Sequence, residues 1–206
     1  KCPQLTIIHP HYEEYLYYTE QIKDVYRQFS DRVESFGLDE AWMDVSESSR
    51  LYGDGVSIAR MIQKKVLQQF GITISIGVSF NKIFAKLGSD MVKHMGLVEI
   101  TKANYKQMVW PLPVSELLYI GRSTASKLEA CGIYTIGELA SLPSGFMSEH
   151  FGKVGEILHT FANGWDETPV AKTTEQAPIK SIGNAITAVK DIVSFEEAKL
   201  IYYVLT

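Results

Sequence analysis

Asp39 and Glu40 are adjacent carboxylates inside an otherwise apolar, strand-like run from Phe36 to Val45. Apolar surroundings penalise ionised carboxylates heavily unless a cation or hydrogen-bond donors meet them. The pair is therefore expected at a strand end or a tight hairpin, facing a cleft that holds a cation. A plain turn is the competing reading, because Asp and Glu flank many strands and a dipeptide is a short motif. A second group lies between Gly77 and Lys93. On a helix at about 100° per residue, Lys82, Lys86 and Lys93 fall within roughly 40° of one another. Ile83, Phe84, Leu87 and Met91 form a neighbouring stripe that would face the core. A lysine line can be no more than a solvated face. Beside the two acids it would instead suit a polyanionic triphosphate, which needs charge neutralised from both the metal and the protein side. A third group runs from Leu117 to Ile133, read as helix, glycine turn at Gly121, helix and glycine stop, with another helix starting at Thr135. Such a turn exposes backbone N–H groups that bind phosphate without reading sequence, although many helix pairs have one and bind nothing.

Several elements must position these groups. Leu5 to Ile8 reads as a short buried strand stopped by His9-Pro10. Tyr15, Thr19, Ile22, Tyr26 and Phe29 then recur at helical spacing, which predicts a helix from about Pro10 to Ser30. The Asp39-Glu40 segment follows as strand, turn, strand. Ile58, Met61, Ile62 and Val66 mark a helix ended by Gly71. Thr73 to Ser79 reads as a strand, expected in the same sheet as the acids. A helix capped by Ser79 or Asn81 comes next, then a strand at Leu97 to Ile100. The fold class is α+β, with one sheet and helices covering one face. From Lys102 to about Ala171 short helices alternate with Gly and Pro, which predicts a second, all-helical domain. It is slightly acidic, so any phosphate contact should be confined to its glycine turn. The expected domains are 1–100, 101–172 and 180–206, with a linker at 173–179. The last stretch opens strand-like and turns helical near Phe195.

With 206 residues the chain can bury a real core, and no apolar run is long enough to span a bilayer. Two cysteines, Cys2 and Cys131, give no disulfide framework, which fits a reducing, cytoplasmic setting. The five histidines lack metal-site spacing. A net charge of −4 argues mildly against a surface that binds nucleic acid all over, but says little about local patches. The opening at Lys1, without a signal-peptide pattern, suggests a piece of a longer chain.

Together the three motifs resemble the Y-family translesion DNA polymerases of the DinB/UmuC type. The family pattern of Ser-aliphatic-Asp-Glu-Ala-aromatic-aliphatic-Asp is matched by Gly37 to Asp44, and its Gly-aliphatic-Ser-x-Asn-Lys, Ala-Lys and downstream Lys by Gly77 to Lys93. Tyr119 to Gly132 resembles the helix–hairpin–helix of the thumb, and Lys180-Ser181-Ile182-Gly183 the start of the little finger. The resemblance covers nearly the whole chain in family order. It implies a partial palm, a whole thumb and a truncated little finger. It also implies two Mg²⁺ ions, with Asp39 bridging both and Glu40 placing the one that activates the primer 3′-hydroxyl. Lys93, with Lys86 nearby, would touch the incoming dNTP. Gly121, Arg122 and Ser123 would hold primer-strand phosphates, and Lys180 and Ser181 would begin a contact with template DNA. Asp44 and Trp42 would stabilise the hairpin. The family's first metal-binding Asp and its fingers do not precede Lys1, so the piece alone is expected to be inactive. Family members commonly reach a sliding clamp through a C-terminal tail. Three departures stand out: Gly37 for the usual Ser, His94 for Pro, and Tyr119 for the first Gly of the hairpin. The alternative is a non-catalytic DNA-binding or protein-interaction module with a palm-like fold, and a nucleotide cyclase is a distant third.

Overall fold

The computed structural model describes residues 2–175, 181–188 and 190–205. The chain forms two compact units, Lys1–Thr173 and Thr174–Thr206. The first opens with α1 (Tyr12–Arg27), followed by β1 (Val33–Phe36), β2 (Glu40–Met43), α2 (Ser49–Tyr52) and α3 (Gly55–Phe70). Next come β3 (Ile76–Ser79), α4 (Lys82–Met91) and β4 (Leu97–Ile100). Helical segments complete the unit: α5 (Tyr105–Met108), a 3₁₀ turn (Val114–Glu116), α6 (Arg122–Ala130), α7 (Ile136–Ser141) and α8 (Ser144–Ala162).

Local chemistry sets the helix ends. Asp54 accepts from Ser57 N–H at the start of α3, and Gly71 closes that helix at φ 66°, a left-handed backbone that glycine adopts without steric cost. Asn81, one of the two expected caps, accepts from Phe84 N–H at the start of α4. Thr135 and Glu138 form a reciprocal capping box on α7.

The strands depart from the single expected sheet. β1 and β2 pair antiparallel, β3 and β4 pair parallel, and among the described residues no strand joins the two pairs. Leu5 to Ile8 is not a strand; Leu5, Ile7 and Ile8 are exposed, with no neighbouring strand to pair with among the described residues. The parallel pair is covered on both faces rather than one. Its register puts Ile76 and Leu97 on one side and Gly77 and Val98 on the other. Ile76 packs toward a core of Val25, Phe29, Ile58, Ile62 and Val66 from α1 and α3. Val98 and Ile100 join a larger core with Ile83, Phe84 and Leu87 of α4, which continues through Val109, Leu128, Leu139 and Leu158. That second core runs unbroken from the βαβ unit into the later helices. Tyr15, Met61 and Met91, expected on apolar stripes, are partly exposed at the surface.

Residues 181–188 contain no strand, in contrast to the strand-like opening expected there, and α9 spans Phe195–Leu205. Residues 176–179 of the expected linker lie outside the described residues. No described helix is long and apolar enough to cross a membrane.

Candidate active site

The hairpin β1–β2 carries the acids. Phe36 and Glu40 close the ladder as partners, leaving Gly37, Leu38 and Asp39 as the turn. Gly37 sits at φ 71°, a region that a side chain would make costly, so a glycine here suits the turn geometry. Asp39 is exposed and Glu40 half-buried at the tip. Trp42 anchors the hairpin from below: its Nε1–H donates to the Lys82 carbonyl at 2.9 Å, and its ring centroid lies 4.5 Å from that of Phe36. Asp44 points elsewhere, accepting from the backbone and hydroxyl of Ser46. The Ser46 hydroxyl bond holds its carboxyl below the ordinary range, against the upward push of burial.

The three lysines of the sequence pattern do not form one line. Helix α4 stops at Met91, and Val92 has turned extended, so Lys93 lies beyond it. Lys82 is buried and turned inward, 2.5 Å from Glu34 Oε2 and with its ammonium 5.2 Å from the centre of the Trp42 ring. Lys86 is the lysine that meets the acids: its Nζ lies 3.1 Å from Glu40 Oε1 and also pairs with Asp90. Burial pushes the Lys86 ammonium down, but its hydrogen bonds to Asp90 and Glu40 outweigh this and raise its pKa above the usual value. It is therefore cationic at neutral pH. Lys93 is well exposed and reaches Asp90 at 3.6 Å. A cleft of about 710 Å³ is lined by Asp39, Glu40, Lys86, Asp90 and Lys93.

Among the described residues, no three His, Cys, Asp or Glu side chains group closely enough to hold a metal ion. Two carboxylates at one tip have the oxygen chemistry that suits a hard divalent cation, as part of a larger donor set. Gly121, Arg122 and Ser123 are exposed at the start of α6, where Gly121 is the N-cap, and they do not line the cleft. The segment before them is the 3₁₀ turn followed by a tight turn in which the Ile120 N–H donates to the Leu117 carbonyl at 3.0 Å, not the expected first helix. Tyr119 there adopts φ 70°, the left-handed backbone that glycine supplies in the family pattern, and its ring lies 6.0 Å from that of Phe161. Ser181 is exposed in the second unit, and Lys180 lies outside the described residues.

Glu34 and Asp90 belong to this cluster and are not apparent from the sequence pattern. Glu34 stands opposite Trp42 in the hairpin register, and Asp90 is one helical turn after Lys86. Burial pushes the Glu34 carboxyl up, but hydrogen bonds from Lys82 and the Ala171 N–H, with the lysine's charge, hold it below its usual value. A depressed carboxylate contributes stability that is present above its unfolded pKa and lost as pH falls through the folded value. Glu34→Gln should therefore lose less stability than the parent chain between neutral pH and acid below about pH 4. Urea titrations across that range check this, and parallel pH profiles for both chains would refute it.

The first unit thus combines a strand–helix–strand unit with an acid-tipped hairpin and later helices. Residues 1–90 match the impB/mucB/samB family. The whole chain is 46% identical over 206 residues to DNA polymerase IV of Acetivibrio thermocellus, covering 100% of this chain and 52% of that protein. It is 37% identical over 200 residues to DNA polymerase IV of Moorella thermoacetica, covering 97% of this chain and 50% of the relative. The crystal structure of DinB from Sulfolobus solfataricus is similar with a TM-score of 0.73 at 26% identity, over 82% of this chain and 50% of that one. An insertion ternary complex of Dbh DNA polymerase matches with a TM-score of 0.70 at 27% identity, over 78% and 47%. The chain spans about half the length of the curated relatives it matches.

Proposed function

We propose that the chain supplies the acid-bearing palm and the adjoining thumb of a translesion DNA polymerase of the DNA polymerase IV type. The reaction is template-directed: the primer 3′-oxygen attacks the α-phosphorus of a dNTP, a new P–O bond forms, the bond to pyrophosphate breaks, and the hydroxyl proton is released. The observation that supports this reading most is the meeting of Asp39 and Glu40 with cationic Lys86 in one cleft, Glu40 and Lys86 being 3.1 Å apart.

Asp39 and Glu40 are assigned as ligands of Mg²⁺, two ions in the complete enzyme, completed by a carboxylate from outside the described residues. When bound, such ions lower the nucleophile's pKa and neutralise the leaving group. Lys93 and Lys86 are assigned to the triphosphate. Gly121, Arg122 and Ser123 are assigned to primer-strand phosphates as the turn of a helix–hairpin–helix, and Lys180 and Ser181 to template backbone. Palm, thumb and little finger would then occupy 1–100, 101–172 and 180–206. The partners are primer–template DNA and dNTP, with a sliding clamp as a further partner of the longer protein, in the cytoplasm.

The purified 206-residue chain should show no primer extension, whereas a protein extended to the length of the DNA polymerase IV relatives should. Template-dependent synthesis by the short chain would overturn its expected inactivity. An inactive longer protein that still binds DNA would favour the non-catalytic module. The lack of a three-ligand group among the described residues is the observation on that side.

A further inference from the structure

After α8 the chain runs without regular structure from Gly164 and returns to β1, where four hydrogen bonds fasten it. Arg32 Nη1 donates to the Val170 carbonyl at 3.3 Å, and the Ala171 N–H donates to Glu34 Oε2 at 2.8 Å. The Thr173 N–H and hydroxyl both donate to the Asp31 carbonyl, at 3.0 and 2.9 Å. The first compact unit ends at this residue. The Glu34 oxygen that holds Ala171 is the same atom that holds the buried Lys82 ammonium. Lys82 is also where the Trp42 indole docks through the backbone carbonyl. The acid-bearing hairpin, the start of α4 and the departing chain therefore share one carboxylate.

We propose that Glu34 is a positioning residue that latches the returning chain at Ala171 onto β1 and so couples residues 170–173 to the acid-bearing hairpin. Upstream of the latch the chain is also held at Gly164, whose carbonyl accepts from Asn81 Nδ2 at 3.0 Å. The latch ties this segment to the hairpin, because displacing Glu34 disturbs Lys82 and the Trp42 anchor together. A carboxylate is well suited to fastening the connector, since a hydrogen bond to a charged acceptor is stronger than a neutral one.

Amide hydrogen exchange on the whole 206-residue chain tests the latch. In the parent chain the Ala171 and Thr173 amides should be protected. Glu34→Ala should speed exchange at both by about tenfold or more, the effect of losing a charged acceptor. Glu34→Gln, which keeps an acceptor oxygen, should fall between. Glu34→Ala also strands the Lys82 charge and could unfold the chain, so Ala171→Pro supplies a second test. It removes the Ala171 N–H donor and stiffens the backbone at 170–171 while leaving the Glu34–Lys82 pair in place, and it should speed exchange at Thr173 while amides of α4 and α8 keep their parent rates. Three results would overturn the proposal: unprotected Ala171 and Thr173 in the parent chain, unchanged rates in Ala171→Pro, or a rise spread equally over all amides.

Discussion

Asp39→Ala and Glu40→Ala, each made in a protein extended to the length of the relatives, should lower the primer-extension rate on the order of 10²–10³-fold, the usual cost of removing one preorganised electrostatic group. The fold should survive both changes. Asp39 is exposed on a turn, and Glu40 forms its ion pair with α4 through Lys86, which keeps Asp90 as a partner. Single-turnover extension at saturating dNTP reads the chemical step, and circular dichroism confirms that the helices persist. Retention of the parent rate by either variant would remove that carboxylate from the catalytic assignment. Loss of rate together with loss of helix would count as structural.

Gly77→Ala should destabilise the chain by about 3 kcal/mol, at the upper end of what overpacking costs. A β-carbon at Gly77 would lie 1.9 Å from the Ala85 carbonyl oxygen and 2.6 Å from the Ser89 nitrogen, both backbone atoms of α4 that cannot rotate away. Strand β3 and helix α4 touch here backbone to backbone, and a β-carbon at Gly88 would in turn meet Gly77 Cα. Any relaxation must therefore separate β3 from α4, the helix that carries Lys86. The midpoint of urea denaturation reads the effect. Gly145→Ala, where an added β-carbon meets nothing within 4 Å, is the control expected to stay near the parent value. Equal midpoints for the two variants would show that β3 and α4 separate freely.

How much of this could be read from the residues depended on whether the determinant was local. The hairpin at Asp39 and Glu40 was legible because turn chemistry and an acidic pair interrupt an apolar run at one place. The helix starting after Asn81 was legible from its cap. The lysine line was not, because it assumed a helix reaching Lys93, whereas the backbone turns extended at Val92 and then takes left-handed φ values of 57° and 65° at His94 and Met95. Glu34 was invisible for another reason. Its partnership with Lys82 follows from the hairpin register that sets it opposite Trp42, and register belongs to a pair of strands rather than to either one. The same reasoning covers the sheets: the β3 segment is recognisable alone, but which neighbour it bonds is not. Leu5 to Ile8 has the apolar run of a strand and, among the described residues, no strand beside it to satisfy its backbone. At Tyr119 the residue type departs from the family pattern while the backbone keeps the glycine-like conformation.

The unbroken core from Ile83 to Ala162 has a thermal consequence. Lys86 is stationed opposite the acids by a helix whose inner face rests on residues as distant in sequence as Val109 and Leu158, so the charge arrangement at the hairpin can be no more heat-resistant than the later helices. Warming that loosens α8 would withdraw the lysine from the cleft before α1 and α3, with their separate core, had begun to melt. The Glu40–Lys86 contact would then be lost below the temperature at which most of the helix signal disappears.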